Sequence, residues 1–347
     1  MREAESRKNE FSEEIETAFI GGGTPSLLNP GLLTYMIQNL LWHLPADKLA
    51  EFTIEANPGT VTSEWISAAA KAGINRISLG MQAFQPVLLN TLGRLHTYED
   101  VEDSVRKARA SGIQNINIDL IFGIPGQTQR MWKETLEAAL ALSPSHISTY
   151  GLIPEENTPL RKDLESGVLC LPEPELERQM YDTAISTLAG EGFRQYEISN
   201  FSLPGYECRH NIGYWRQIPY VGLGVSAASM SVLQYGRNGM ICRRRTNACQ
   251  LSAYERMVME QKKPAEEEIV SRDESCFETM MLGLRMNEGV SVKNFMDLHG
   301  VSIMEKYGEK LLQFESQKLM TYSDGFWRLT RRGFDIQNSL LVEMMEY

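Results

Sequence analysis

The sequence predicts an α/β protein, an open, partial parallel β/α barrel followed by a small winged-helix-like C-terminal domain. Short apolar strands alternate with amphipathic helices at intervals of roughly 25–50 residues, the pattern of a parallel sheet with right-handed crossovers. Five clear units and one appended strand are too few for a closed eight-fold barrel. Beyond Ser271 the pattern changes to three helices, a hairpin and a final helix.

Residues from Met1 to about Glu16 are rich in charge and read as the exposed end of a helix. Thr17-Ala18-Phe19-Ile20 reads as a buried strand running into Gly21-Gly22-Gly23-Thr24-Pro25-Ser26, and Pro25 opens a helix whose apolar positions run from Leu27 to Leu41. Glycines at the carboxyl end of a strand expose backbone N–H groups, so this stretch is either a ligand cradle or a tight strand-to-helix turn. The strand in Glu51–Gly59 is closed by Asn57-Pro58-Gly59, and Thr62-Ser63-Glu64 caps a helix reaching Gly73. Arg76–Gln82 is the next strand, and a helix over about Tyr98 to Ala110 follows. Strands at Ile116–Phe122 and His146–Leu152 flank a helix near Met131 to Leu142. A helix from about Glu175 to Ala189 then leads to the appended strand Gln195–Asn200.

Ligands of such sheets sit at the carboxyl ends of the strands. The polar residues there are Gly21 to Thr24, Glu55 with Asn57, Gln82, Asp119, Tyr150, and Glu197 with Asn200. A single acidic residue at a strand end also serves as a cap or a local hydrogen-bond acceptor; convergence of several on one rim is what points to a site. The domains are expected at 1–200 for the barrel, 201–265 for a connecting region of loops and short strands, and 266–347 for the C-terminal domain. The charged run Gln261–Glu268 reads as a linker.

With 347 residues, 42% of them hydrophobic, the chain can bury a large core. A formal charge of −11 excludes a broad electrostatic grip on nucleic acid or anionic lipid. Arg243-Arg244-Arg245 reads as a solvated turn. The C-terminal domain has nine Lys/Arg against twelve Asp/Glu from Ser271 onward, the wrong sign for reading DNA. No apolar run approaches the roughly 20 residues that span a bilayer, and the charged start is unlike a signal peptide, so a cytoplasmic protein is expected. The five cysteines, Cys170, Cys208, Cys242, Cys249 and Cys276, include no CxxC pair and suggest neither disulfides nor zinc.

The segments Gly21–Ser26, Glu55–Thr60, Arg76–Phe84, Leu92–Thr97 and Asn117–Thr128, in this order, resemble the coproporphyrinogen-III-oxidase-like radical SAM family. His210-Asn211-Ile212-Gly213-Tyr214-Trp215 resembles the HNxxYW motif of its heme-chaperone (HemW-type) branch. The resemblance implies a radical SAM barrel binding S-adenosylmethionine beside a [4Fe–4S] cluster. Gly22, Gly23 and Thr24 match the positions facing the methionine part of the cofactor, and Glu55, Gln82, Arg94 and Asp119 match its other binding positions. Within the motif His210 is the candidate axial ligand of heme, with Tyr206, Tyr214 and Trp215 as flanking rings, or else a hydrogen-bonded structural histidine. The implied partners are heme and a heme-accepting apoprotein, with a homodimer left open and no nucleic acid. The alternatives are a radical SAM coproporphyrinogen III dehydrogenase and a non-catalytic scaffold.

One departure stands out. The family carries CxxxCxxC upstream of the Gly-rich strand, whereas the first cysteine here is Cys170. The sequence is therefore read as an N-terminally shortened member, with the missing strand and motif expected in frame in the upstream DNA; a paralogue that has dropped the cluster is the other reading. The chain as it stands should not hold a [4Fe–4S] cluster, which needs three thiolates gathered together. Anaerobic reconstitution with iron and sulfide analysis checks this, and about four irons per chain would contradict it.

Overall fold

The computed structural model describes residues 2–10, 15–44, 49–236, 239–260, 262 and 265–345. They form two compact units, one within Ile15–Trp42 and Ala46–Cys208, the other within Met1–Glu14, His43–Pro45 and Arg209–Tyr347.

The first unit is an open sheet. Strands β1 (Thr17–Ile20), β2 (Glu51–Ala56), β3 (Arg76–Gln82), β4 (Asn115–Phe122) and β5 (His146–Gly151) pair in parallel in sequence order. Antiparallel β6 (Arg194–Gln195) and β7 (Asn200–Ser202) complete a seven-stranded order β1-β2-β3-β4-β5-β7-β6. Alternate strand residues explain the layering. Phe52, Ile54, Ile77, Leu79, Ile116 and Ile118 are buried in the hydrophobic core. That core also holds Trp65, Ile66 and Ala69 of helix Ser63–Lys71, Val101 and Val105 of helix Tyr98–Ala110, and Trp132 and Leu136 of helix Gln129–Ala141. Threonine starts each of these helices: Thr62, Thr97 and Thr128 accept from the backbone N–H of Trp65, Asp100 and Met131.

Three expectations need correction here. The helix expected from Pro25 is a short 3₁₀ turn, Pro25–Leu27, followed by helix Pro30–His43, which buries Leu33 and Ile37 but leaves Leu32, Tyr35 and Trp42 exposed. The expected strand Gln195–Asn200 is two short strands joined by a turn, because the fully buried Glu197 bends the chain. Its Oε1 accepts from the Ser199 N–H at 2.8 Å and from Asn200 Nδ2 at 2.6 Å. Short helices Pro86–Thr91 and Pro159–Glu165 occupy stretches for which no element was expected.

The second unit begins with helix Arg2–Arg7, which is anchored rather than exposed. Ala4 and Glu3 are buried, and the Glu3 carboxylate accepts from the Gly224 N–H at 2.9 Å, Asn247 Nδ2 at 2.7 Å and the Tyr254 hydroxyl at 2.6 Å. Arg7 donates to the Gly222 carbonyl at 2.8 Å and to Ser229 Oγ at 3.0 Å. Arg243–Arg245 lie not in a turn but in β9 (Ile241–Thr246), the centre of an antiparallel sheet with β8 (Ala228–Gln234) and β10 (Glu266–Val270). Of the supposed linker Gln261–Glu268, residues Glu266–Glu268 begin that edge strand, where Glu267 faces Arg245 and Glu268 faces Arg244, while Gln261, Lys263 and Pro264 lie outside the described residues. Arg245 also pairs with Glu10, and Arg244 with Glu278. Opposite charges across a strand pair favour a register that a composition reading takes for solvated loop.

The C-terminal part packs helices Arg272–Gly283, Val292–His299 and Ile303–Ser316 against β11 (Val290–Ser291), β12 (Met320–Ser323) and β13 (Phe326–Leu329), giving the winged-helix-like outline. Asp324 and Gly325, both at positive φ, make the tight hairpin turn. Among the described residues no helix is long and apolar enough to cross a membrane.

Replacing Glu3 with Ala should take their acceptor from the Gly224 N–H and the half-buried Tyr254 hydroxyl and leave Asn247 Nδ2 only the Gly224 carbonyl, lowering stability by about 1–3 kcal/mol. A fall in the urea midpoint, with the exposed Glu5→Ala as an unchanged control, is the expected result.

Candidate functional site

The face of the sheet opposite the helices is polar. Register places Glu55 beside Ser78, Ser78 beside Asn117 and Asn117 beside His146, with Gly80 beside Asp119 and Asp119 beside Ser148 one row on. The carboxyl-terminal row of this face is the candidate site.

Gly22 and Gly23 have φ of 81° and 58°, and a Cβ on either would meet nothing within 4 Å. The bend therefore needs glycine for its conformation, and its backbone is left open to a ligand. At Gly21 a Cβ would lie 2.6 Å from the Phe19 ring and 2.9 Å from Glu55 Oε2, so the strand end is closed to side chains where it meets Glu55. The Gly22 N–H donates to Glu55 Oε2 at 3.1 Å. Thr24 precedes the 3₁₀ turn without capping it through its side chain. Next to it Ser26 fixes the loop, its Oγ accepting from the Asn57 N–H at 3.0 Å and meeting Thr60 Oγ1 at 2.5 Å.

The Glu55 carboxyl is pushed above the ordinary range, by burial first and then by the Asp119 carboxylate, against the lowering effect of the Gly22 N–H. The two acids therefore share one field. Asp119 accepts from Ser78 Oγ at 2.7 Å and from Asn117 Nδ2 at 2.8 Å. Burial, with Asp119 second, also raises the Tyr150 phenol. Gln82 ends β3 at φ 64° after a bulge between Gly80 and Gln82. A bulge with a left-handed non-glycine residue re-aims a side chain at a local conformational cost. Gly80 permits it, since a Cβ there would stand 2.6 Å from Gln82 Nε2.

The structure thus gathers Gly22, Gly23, Thr24, Glu55, Gln82 and Asp119 at the carboxyl ends of β1 to β4. Arg94 is exposed in the turn after helix Pro86–Thr91, and among the described residues no hydrogen bond or ion pair joins it to Glu55, Gln82 or Asp119. Glu197 and Asn200 are used locally in their turn. Ser78, Asn117, His146 and Gly80 went unnoticed in the sequence, although the alternation Arg-Ile-Ser-Leu-Gly and Asn-Ile-Asp, polar every second residue, was the available signal.

His210 belongs to the other unit, in helix Arg209–Trp215, where loop was expected. Its Nε2 lies 2.9 Å from the Tyr214 hydroxyl and its ring meets Tyr214 edge-on at 4.9 Å. Tyr214 in turn packs on Tyr220 at 4.7 Å, and the Trp215 ring is covered by the Arg285 guanidinium at 4.4 Å. Tyr214 and Trp215 are thus engaged with protein groups.

Chemically, the rim offers a glycine bend with open space beside its backbone, two carboxylates and an amide, a set suited to a cationic ligand bearing hydroxyl and amino groups. The described residues do not gather the three thiolates that an iron–sulfur cluster needs: Cys208, Cys242 and Cys276 are buried, Cys170 and Cys249 are exposed, and no group of three or more metal-ligating side chains occurs among the described residues.

Residues 1–139 match the radical SAM superfamily and residues 270–336 match the HemN C-terminal domain. The chain is 36% identical over 334 residues to the heme chaperone HemW of Lactococcus lactis, covering 96% of this chain and 85% of that protein. It is 36% identical to heme chaperone HemW of Bacillus subtilis, covering 92% and 83%. Among solved structures, coproporphyrinogen III oxidase (HemN) from Escherichia coli superposes with a TM-score of 0.81 over 99% of this chain and 81% of that one, at 19% identity, a likeness of fold. With such identity over most of its relatives' length, the chain belongs to the HemW family, within the radical SAM superfamily.

Proposed function

We propose that this chain binds S-adenosylmethionine on the rim of the sheet and acts as a heme chaperone, receiving heme and passing it to an apoprotein. The observation that carries the reading is the identity to heme chaperones across both units, joined to the polar rim of glycine bend, carboxylates and amide at the strand ends. The oxidase reading rests on the shared fold and on the HemN C-terminal domain match, without an identity of comparable level to an oxidase.

In this reading Gly22, Gly23 and Thr24 receive the methionine part. Glu55 and Asp119 take amino and ribose hydroxyl groups, and Gln82 adds its re-aimed amide. Arg94 would reach the cofactor carboxylate only by swinging in from its exposed position. When bound, S-adenosylmethionine supplies a sulfonium cation. What the chain's own residues do is bind, orient and balance the positive charge.

A cationic ligand favours the ionised form of Glu55, whose proton is held more firmly than usual in the free protein. Binding should therefore release protons just above the ordinary carboxylate range, and affinity should rise with pH there. Calorimetry in buffers of different ionisation enthalpy reads the release, and Glu55→Gln should abolish it; unchanged proton release in that variant would remove Glu55 from the site.

For heme, the neutral imidazole of His210 is the proposed iron ligand. Ligation through Nε2 displaces the Tyr214 hydroxyl, so Tyr214→Phe should bind heme at least as well as wild type, while His210→Ala should lose the ligand. Hemin titration followed at the Soret band, with circular dichroism as a folding control, tests both; identical spectra and affinities for wild type and His210→Ala would return His210 to a structural role.

A further inference from the structure

We infer that Tyr196, His146 and Asn117 form a directed hydrogen-bond chain that positions the Asp119 carboxylate for its ligand. They act as positioning residues, and the inference rests on the cofactor reading of the rim.

The direction follows from counting protons. The Asp119 carboxylate can only accept, so Asn117 Nδ2 faces it and Asn117 Oδ1 faces His146 Nδ1, which leaves His146 Nε2 to accept the proton of the Tyr196 hydroxyl 2.8 Å away, while the Cys208 N–H donates to that hydroxyl's oxygen at 3.2 Å. His146 is fully buried, and burial first, then the Arg76 guanidinium, push its pKa well below the ordinary value. A neutral ring carries one N–H. With Nε2 accepting, the proton sits on Nδ1 and is donated to Asn117 Oδ1 at 2.6 Å. Ser148 Oγ donates to the same oxygen at 3.1 Å.

Asn117 therefore cannot turn its amide over. Oδ1 faces two donors, and Nδ2 must face the acceptors Asp119 Oδ1 at 2.8 Å and Ser78 Oγ at 2.7 Å. Ser78, having accepted, gives its own proton to Asp119 Oδ2 at 2.7 Å. Each Asp119 oxygen thus holds one protein donor, which fixes the carboxylate plane and leaves acceptor capacity on both oxygens for a ligand. Asn117, Ser148 and His146 are almost wholly buried, so the order of donors is not exchanged with solvent.

The test uses the full chain labelled with ¹⁵N-histidine, His146 being assigned by loss of its signal in His146→Gln. The expected signature is a neutral Nδ1–H tautomer at His146 that becomes a mixture in Tyr196→Phe. S-adenosylmethionine affinity, by equilibrium dialysis on variants that keep wild-type circular dichroism, should fall about tenfold in Asn117→Leu and in Ser78→Ala. Tyr196→Phe should lose about two- to threefold, and Ser78→Thr, which keeps the hydroxyl, should restore binding. An Nε2–H tautomer at His146, or wild-type affinity in folded Tyr196→Phe and Ser78→Ala, overturns the inference. Asp119→Ala separates the two levels: if it binds S-adenosylmethionine as wild type does, or if wild type binds none, the cofactor reading of the rim falls as well.

Discussion

A buried polar group must find a partner, and in this protein that requirement acts on a whole face of a sheet. The helices cover only the Phe52, Ile54, Ile77 and Ile118 side. On the other side Thr53, Arg76, Ser78, Asn117, His146 and Ser148 are almost entirely removed from solvent. An unpaired polar atom there costs on the order of 1–3 kcal/mol; Arg76 Nε is left without a partner, while Ser78, Asn117, His146 and Ser148 are held in the bonded arrangement. Unlike the apolar layer behind it, which tolerates substitution by shapes of similar volume, the polar face is specific in both donor identity and direction. The ligand-facing residues at its upper edge inherit that order.

Much of this was legible in the sequence, for identifiable reasons. Strands β1, β2, β4 and β5 announce themselves by apolar runs ending in glycine or Asn-Pro-Gly, and the helix after β2 by its Thr62 cap, whereas the caps at Thr97 and Thr128 emerge from the structure. The rim residues Gly22, Glu55, Gln82 and Asp119 could be named because each stands at or near the carboxyl end of its strand, Asp119 three residues before the end of β4. The interior residues could not be singled out in the same way: Asn117 or His146 inside a strand looks like an ordinary polar position until its neighbours across the register are known. Gln82 was found by position, but its left-handed backbone and its dependence on Gly80 belong to a bulge that no local pattern encodes.

The second unit was read less well because its elements are held by charge rather than by hydrophobic period. Arg243 to Arg245 and Glu266 to Glu268 look like solvated runs when taken singly, yet as facing strands they form a ladder with Glu10 and Glu278 at its sides. Glu3 was misjudged for the same reason. A glutamate near the start of a sequence is normally exposed, and only three converging donors keep it inside. In a charge-rich segment the partner, not the residue, decides burial.

Gln82 sets conformational preference against ligand recognition at a single position. Its φ of 64° suits glycine or asparagine better than glutamine. In a library randomised at codon 82, enrichment for heat resistance alone would drift toward the small turn-formers, whereas enrichment for ligand retention would keep the long amide. The gap between the two outcomes would measure how strongly recognition constrains that position, before any ligand had been identified.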